Sequence, residues 1–318
     1  MVIVYFGTPA FAVPPLEALL ASAHPVAAVV SQPDRPRGRG HRLQPTPTKL
    51  IAQGHGVPVL QPDRVRDDAF LQTLRDLHPD LGVVAAFGRM LPDALLAIPR
   101  LGLINVHASL LPRYRGAAPI QRAVMAGEKE TGVTIMRIVK ELDSGPTFAS
   151  RTIPIPAGAT SGDVEAALAP VGARLLMDVV EQIAAGRAVE TPQDHARATY
   201  APKVTKEEGA IDWTQPAQRI HDLVRGLQPW PLASTTLIRA DAAAAAGRYV
   251  IRRTTFGEGM TDMPPGTITR AEADDLRVAA GGGSVLRILE IQLEGRRTMN
   301  VREFLAGHRL GAGDRFGP

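Results

Sequence analysis

Five short apolar runs decide what the first half of this chain can fold into. They are residues 1–6 (MVIVYF), 26–30 (VAAVV), 81–87 (LGVVAAF), 101–107 (LGLINVH) and 133–139 (VTIMRIV). Each has strand length, and little polar alternation interrupts them, as expected where both faces of a strand are covered. Helical signals fall between them. Pro14 and Pro15 suit a first helical turn, and 67–77 and 118–126 carry helical spacing. Residues 57–60 add a short strand, and Ser161 caps a helix running toward Gly186 with a break expected near Pro170. Strands separated by helices predict an α/β fold: a Rossmann-like, mostly parallel sheet with helices on both faces.

The pattern changes after Gly186. Residues 187–205 have weak periodicity and read as a linker. Ile220, Leu223, Val224 and Leu227 form a helical stripe, and 301–306 suits a closing helix. Between them lie short segments punctuated by glycine, at 234–239, 249–255, 266–270, 276–279 and 284–293. Such spacing predicts a smaller antiparallel, OB-like β-barrel. The expected organisation is therefore a first domain over 1–186, a linker over 187–205 and a barrel over 206–318. With 318 residues, two cores are possible. Trp213 and Trp230 are expected at an interdomain contact or in the barrel core rather than as base-stacking platforms.

Several function classes are disfavoured. The chain has no cysteine, hence no disulfide, thiolate metal site or cysteine nucleophile. No apolar run approaches a membrane span, and the first residues lack the basic start and cleavage site of a secretory signal. The first strand–helix turn, Gly7-Thr8-Pro9-Ala10-Phe11-Ala12, has one glycine, and a proline stands where backbone amides should face a pyrophosphate. This disfavours a nicotinamide cofactor. No phosphate-loop, zincin or nucleophile-elbow motif occurs.

Charge is concentrated. The net charge is +4, and residues 31–49 alone carry Arg35, Arg37, Arg39, Arg42 and Lys49 against Asp34. That stretch matches the whole excess, and its many prolines and glycines read as a mobile surface loop carrying a positive patch. Phosphate backbone is the usual partner of such a patch. From Lys206 onward 15 basic residues face 14 acidic ones, so the second domain is not globally basic.

The chemistry concentrates between 101 and 145. Asn105 and His107 are two apart at the C-terminal end of a strand, so their side chains leave the same face, at the sheet end where open α/β folds place their sites. Asp143 follows the next strand, and the three can converge. Together they suit acyl transfer to an amine. Asn offers a donor to a developing oxyanion, His moves a proton near neutral pH, and Asp orients His or holds a relaying water.

The stretch from Asn105 to Ile120, NVHASLLPRYRGAAPI, resembles the signature of the 10-formyltetrahydrofolate-dependent formyltransferases. The resemblance implies that Asn105, His107 and Asp143 are catalytic. It also implies that Ser109, Leu110, Leu111 and Pro112 form the folate-contacting loop, with Phe87-Gly88-Arg89-Met90 as another wall. Within that superfamily the chain resembles the methionyl-tRNA formyltransferases over nearly its full length. The supporting segments are Gln32-Pro33-Asp34-Arg35-Pro36 with Gly38-Arg39-Gly40, then 116–122 (GAAPIQR), 130–136 (ETGVTIM), Ile211-Asp212-Trp213 and Gln228-Pro229-Trp230-Pro231. This implies a formyl donor, 10-formyltetrahydrofolate, an acceptor, initiator methionyl-tRNA, and no metal. It further implies a cytoplasmic monomer whose Arg35, Arg37, Arg39 and Arg42 meet the tRNA. A formyltransferase acting on another amine, such as an amino-sugar nucleotide, is the alternative.

Overall fold

The computed structural model describes residues 1–37, 42–240, 245–311 and 313–317, which form two compact units. The first unit comprises Met1–Pro119, Glu130–Pro154 and Val164–Pro202; the second comprises Ile120–Lys129, Ile155–Asp163 and Lys203–Pro318.

The strands of the first unit are β1 (Ile3–Gly7), β2 (Val26–Val30), β3 (Arg35–Arg37), β4 (Arg42–Gln44), β5 (Val59–Leu60), β6 (Leu81–Ala85), β7 (Leu103–His107), β8 (Arg115–Gly116), β9 (Glu130–Arg137), β10 (Thr147–Pro154) and β11 (Tyr200–Ala201). The helices up to the linker are α1 (Val13–Leu20), α2 (Pro47–Gly54), α3 (Asp68–Asp76), α4 (Asp93–Leu96), α5 (Pro119–Met125) and α6 (Ser161–Ala184). The main sheet has the order β10-β9-β7-β6-β1-β2-β5. From β7 through β6, β1 and β2 to β5 every pairing is parallel. All five residues of β1 and of β6 are buried, as their unbroken apolar runs require. On α3, Phe70, Leu71 and Leu74 join Val4, Phe6, Val30, Val84 and Phe87 in one core, and the Asp67 carboxylate caps the helix through Ala69 N–H.

Three features depart from the sequence expectations. First, β9 runs antiparallel to β7 and is followed by β10, also antiparallel, at the sheet edge. β10 (TFASRTIP) is polar and half-exposed, so it carries no apolar run to announce it. Second, α6 continues through Pro170 without a break. Leu168 before the proline and Leu176, Val179 and Val180 after it are all at most 0% exposed, so packing on both sides outweighs one missing backbone donor. Third, the stretch read as a mobile loop is partly built. β3 and β4 pair as a ribbon, and Thr46 caps α2, whose first residue is Pro47. Residues 38–41 lie outside the described residues, and so does the Arg39 expected at their centre.

The second unit contains α7 (Ala217–Gly226), α8 (Val301–Gly307) and strands β12 (Ala233–Ile238), β13 (Ala245–Met260), β14 (Ile268–Glu272), β15 (Asp275–Ala279), β16 (Ser284–Leu293), β17 (Met299–Asn300) and β18 (Arg315–Gly317). The sheet runs β14-β15-β16-β13-β12-β18 with antiparallel neighbours. Its two ends meet, because Phe316 N–H donates to Gly266 O at 2.8 Å and Thr267 bridges Arg315. The sheet curls into the expected small barrel. Gly266 is required at this seam: its φ is +87°, and a Cβ there would strike the Phe316 carbonyl. Trp213 fills the barrel core, stacked on Phe316 and donating to Thr235 Oγ1 at 2.9 Å. Trp230 is 54% exposed and so is not part of the barrel core. Among the described residues no helix is long and apolar enough to cross a membrane.

Candidate active site

The site is built at the C-terminal end of β7. Ile104 and Val106 anchor one face of the strand in the core, and Asn105 and His107 leave the other. His107 is 5% exposed, and its Nε2 lies 3.0 Å from the Tyr114 carbonyl. A carbonyl only accepts, so Nε2 carries the hydrogen. Nδ1 is then the ring nitrogen left to exchange a proton, and it faces Asp143 Oδ2 at 3.7 Å. That exceeds a direct hydrogen bond and suits one relayed proton or a closing movement. Asp143 Oδ2 is meanwhile fixed by Gly116 N–H at 2.8 Å. Asn105 is half-buried, and among the described residues none hydrogen-bonds its carboxamide. Its two N–H donors are therefore uncommitted at the strand end.

Asp143 reaches His107 by a route the sequence does not announce. Because β9 is antiparallel to β7, Arg137 pairs with Ile104 and the chain leaves β9 at the N-terminal end of β7. The loop of residues 138–146 then doubles back over the face carrying His107. Asp143 makes the turn with φ +47°, a left-handed conformation that aspartate tolerates better than most side chains.

The loop after β7 is tied down from below. Thr134 on β9 donates from Oγ1 to Ser109 O at 2.7 Å and accepts from Leu111 N–H at 3.2 Å. Ser109 is fully buried, and its hydroxyl donates to Arg113 O at 2.7 Å. Leu110 packs on β9 over Gly132, where a Cβ would collide with it. Ser109 thus supports the loop from inside, whereas Leu110, Leu111 and Pro112 are each half-exposed on the loop that follows His107. Phe87 is core, packed edge-on to Phe6, and Met90 beyond it is 66% exposed. β6 and β7 pair in parallel, so the turn carrying Gly88–Met90 flanks the loop after β7.

Comparison with known proteins is consistent across the chain. Residues 1–180 match the formyl transferase family model, and residues 203–309 match the model of the formyl transferase C-terminal domain. A methionyl-tRNA formyltransferase of Methylococcus capsulatus is 45% identical over 317 residues, covering 100% of both chains. One from Moorella thermoacetica is 46% identical, covering 100% of this chain and 99% of its own. The chain belongs to the methionyl-tRNA formyltransferase family. The fold is shared more widely. The sugar 3N-formyl transferase WlaRD matches with TM-score 0.66 at 14% identity, covering 93% of this chain and 98% of its own. An N-formyltransferase of Helicobacter canadensis matches with TM-score 0.65 at 16% identity, covering 90% and 98%.

In this family member the base of the β3–β4 ribbon is clamped. Lys49 Nζ donates to Asp34 Oδ2 at 2.6 Å and to Gln61 Oε1 at 2.8 Å, and Gln61 Nε2 donates to Asp34 Oδ1 at 2.8 Å. The hydrogen bond from Lys49, then that from Gln61, holds the Asp34 carboxyl below its usual range. Lys49 is therefore committed to Asp34, and the ribbon's remaining charge is its arginines. Arg35 is exposed. Tyr114, Thr134, Arg115 and Gln193 were not singled out by sequence. Tyr114 acts through its backbone, and Gln193 stands 86 positions from His107 with no motif around it.

Proposed function

We propose that the chain transfers the formyl group of 10-formyltetrahydrofolate to the free α-amine of methionyl initiator tRNA. The observation that carries the reading is the meeting of His107 and Asp143 beside the uncommitted carboxamide of Asn105, in a chain related to methionyl-tRNA formyltransferases across both units. The residues present fit a folate. Leu111, Pro112 and Met90 offer apolar surface beside the donors at the strand end, as a flat heteroaromatic ligand with one polar edge requires. The folate supplies an activated formyl group.

The chain's own residues do the rest. As the amine adds to the formyl carbon, negative charge builds on the formyl oxygen. Asn105 donates to that oxygen, and His107, protonated or hydrogen-bonded, adds a second stabilising contact. Asp143 holds the His107 ring in place and takes part in removing the proton the amine must lose. Departure of the folate nitrogen is completed when that nitrogen regains a proton. No covalent enzyme intermediate is involved.

Arg35, Arg37, Arg39 and Arg42 meet the acceptor end of the tRNA through its phosphates, with the Asp34–Lys49–Gln61 clamp fixing where the ribbon starts. Arg39→Ala weakens tRNA use and leaves folate affinity unchanged. The reaction itself is tested by incubating the purified chain with methionyl initiator tRNA and 10-formyltetrahydrofolate, then weighing the released aminoacyl group. A mass gain of one formyl group supports the reading. An unmodified methionyl group, with formyl appearing on an amino-sugar nucleotide instead, overturns it.

A further inference from the structure

The segment over 187–205, without recognisable periodicity, contains a side chain that the reaction scheme does not use. Gln193 is 8% exposed. Its Nε2 donates to the Asp143 carbonyl at 2.9 Å and to the Gly145 carbonyl at 2.7 Å. Its Oε1 accepts from Arg115 Nε at 3.1 Å and Arg115 Nη2 at 2.6 Å. A guanidinium only donates and a carbonyl only accepts, so the orientation of this carboxamide is fixed by its partners. Glutamine meets both demands. Glutamate would set an oxygen against two carbonyls, and asparagine is one methylene short.

The same segment grips the other side of the catalytic pair. Thr199 O accepts from Arg115 N–H at 2.8 Å, and Thr199 Oγ1 accepts from Tyr114 N–H at 2.8 Å. β11 then pairs with β8. Gly116, with φ +122°, lies so close to the Ala201 carbonyl that a Cβ would sit 2.7 Å from it. Arg115 is flanked by Tyr114, whose carbonyl holds His107, and Gly116, whose N–H holds Asp143. One stretch of chain therefore fixes the backbone on both sides of the 3.7 Å gap between His107 and Asp143. Asp143 sits in a left-handed conformation that persists where surroundings over-determine it, and Gln193 supplies two of the restraining bonds.

We propose that Gln193 is a positioning residue for Asp143, holding its loop so that the carboxylate stays within reach of His107. The proposal rests on reading His107 and Asp143 as the catalytic pair. It is tested with Gln193→Ala and Gln193→Glu in the full chain, each alone and with Asp143→Ala. Gln193→Ala lowers kcat by about 10–100-fold, the scale of a displaced catalytic group. KM for folate and for tRNA stays within about twofold, because binding is untouched. In the Asp143→Ala background the same substitution lowers kcat no further. Gln193→Glu keeps its link to Arg115, so it folds, yet it shows the same loss. Amide exchange at Gly116 N–H, which needs no substrate, accelerates in Gln193→Ala as it does in Asp143→Ala. That readout separates this proposal from the identity of the acceptor. An unchanged kcat, an equal loss in both backgrounds, or a Gly116 amide that stays protected overturns the positioning role.

Discussion

Replacing Thr134 by valine isolates the polar support of the loop after β7. Thr134 is 1% exposed, and valine has nearly its shape, so no cavity forms. What disappears is one hydroxyl serving two partners, Ser109 O at 2.7 Å and Leu111 N–H at 3.2 Å. Ser109 is fully buried, so water cannot readily replace the lost donor there. An orphaned buried polar group costs about 1–3 kcal/mol, so the pair amounts to about 2–6 kcal/mol if the loop stays in place. Movement of the loop toward water lowers that figure but displaces Leu111 and Pro112, and the loss then falls on folate binding. Both tryptophans lie in the second unit, which makes indole fluorescence blind to this change. The assay is therefore amide exchange in β7 and β9 with urea, alongside folate affinity measured by titration. Thr134→Ser, which keeps the hydroxyl, serves as control. A valine variant with stability within about 0.5 kcal/mol of the parent, the range of a neutral surface change, and with unchanged folate affinity would refute the argument.

Two further outcomes follow from the geometry. Trp213→Ala removes a buried, stacked ring from the barrel and lowers the stability of the second unit by about 3–5 kcal/mol in urea unfolding, whereas Trp230→Ala changes it by less than about 0.5 kcal/mol. Because the folded carboxyl of Asp34 is held below its unfolded range, its contribution to the ribbon clamp is present at neutral pH. It is lost only as pH falls below the ordinary carboxylate range of about 4. Asp34→Asn abolishes that acid dependence, read from the exchange of β3 and β4 amides, while leaving folate affinity intact.

The parallel half of the main sheet was legible because β1 and β6 are buried throughout and β2 and β7 mostly so, and all four are written largely in apolar residues. Asn105 and His107 were legible for a related reason: polar residues ending an apolar run stand out, and strand geometry alone puts them on one face. The direction of β9 was not legible, since an apolar run reads the same in either sense. Consequently the sequence brought Asp143 near His107 by a simpler path than the doubled-back loop that delivers it. β10 was missed because an edge strand has no need of apolar residues on both sides. The exposure of Trp230 was not legible because an aromatic flanked by prolines carries no periodicity to say which way it points. Gln193 was invisible because its role consists of hydrogen bonds to backbone carbonyls and a distant guanidinium, a pattern that exists only once the chain is folded.

The proposed chemistry depends most heavily on Asn105. Among the described residues none hydrogen-bonds its carboxamide, which is assigned to the oxygen that gains charge during transfer. The decisive measurement is the single-turnover rate of methionyl-tRNA formylation by Asn105→Ala at saturating folate and tRNA. The predicted result is a fall of about 10²–10³-fold with both affinities and the unfolding transition unchanged. A variant that formylates at the parental rate would contradict the assignment of this site.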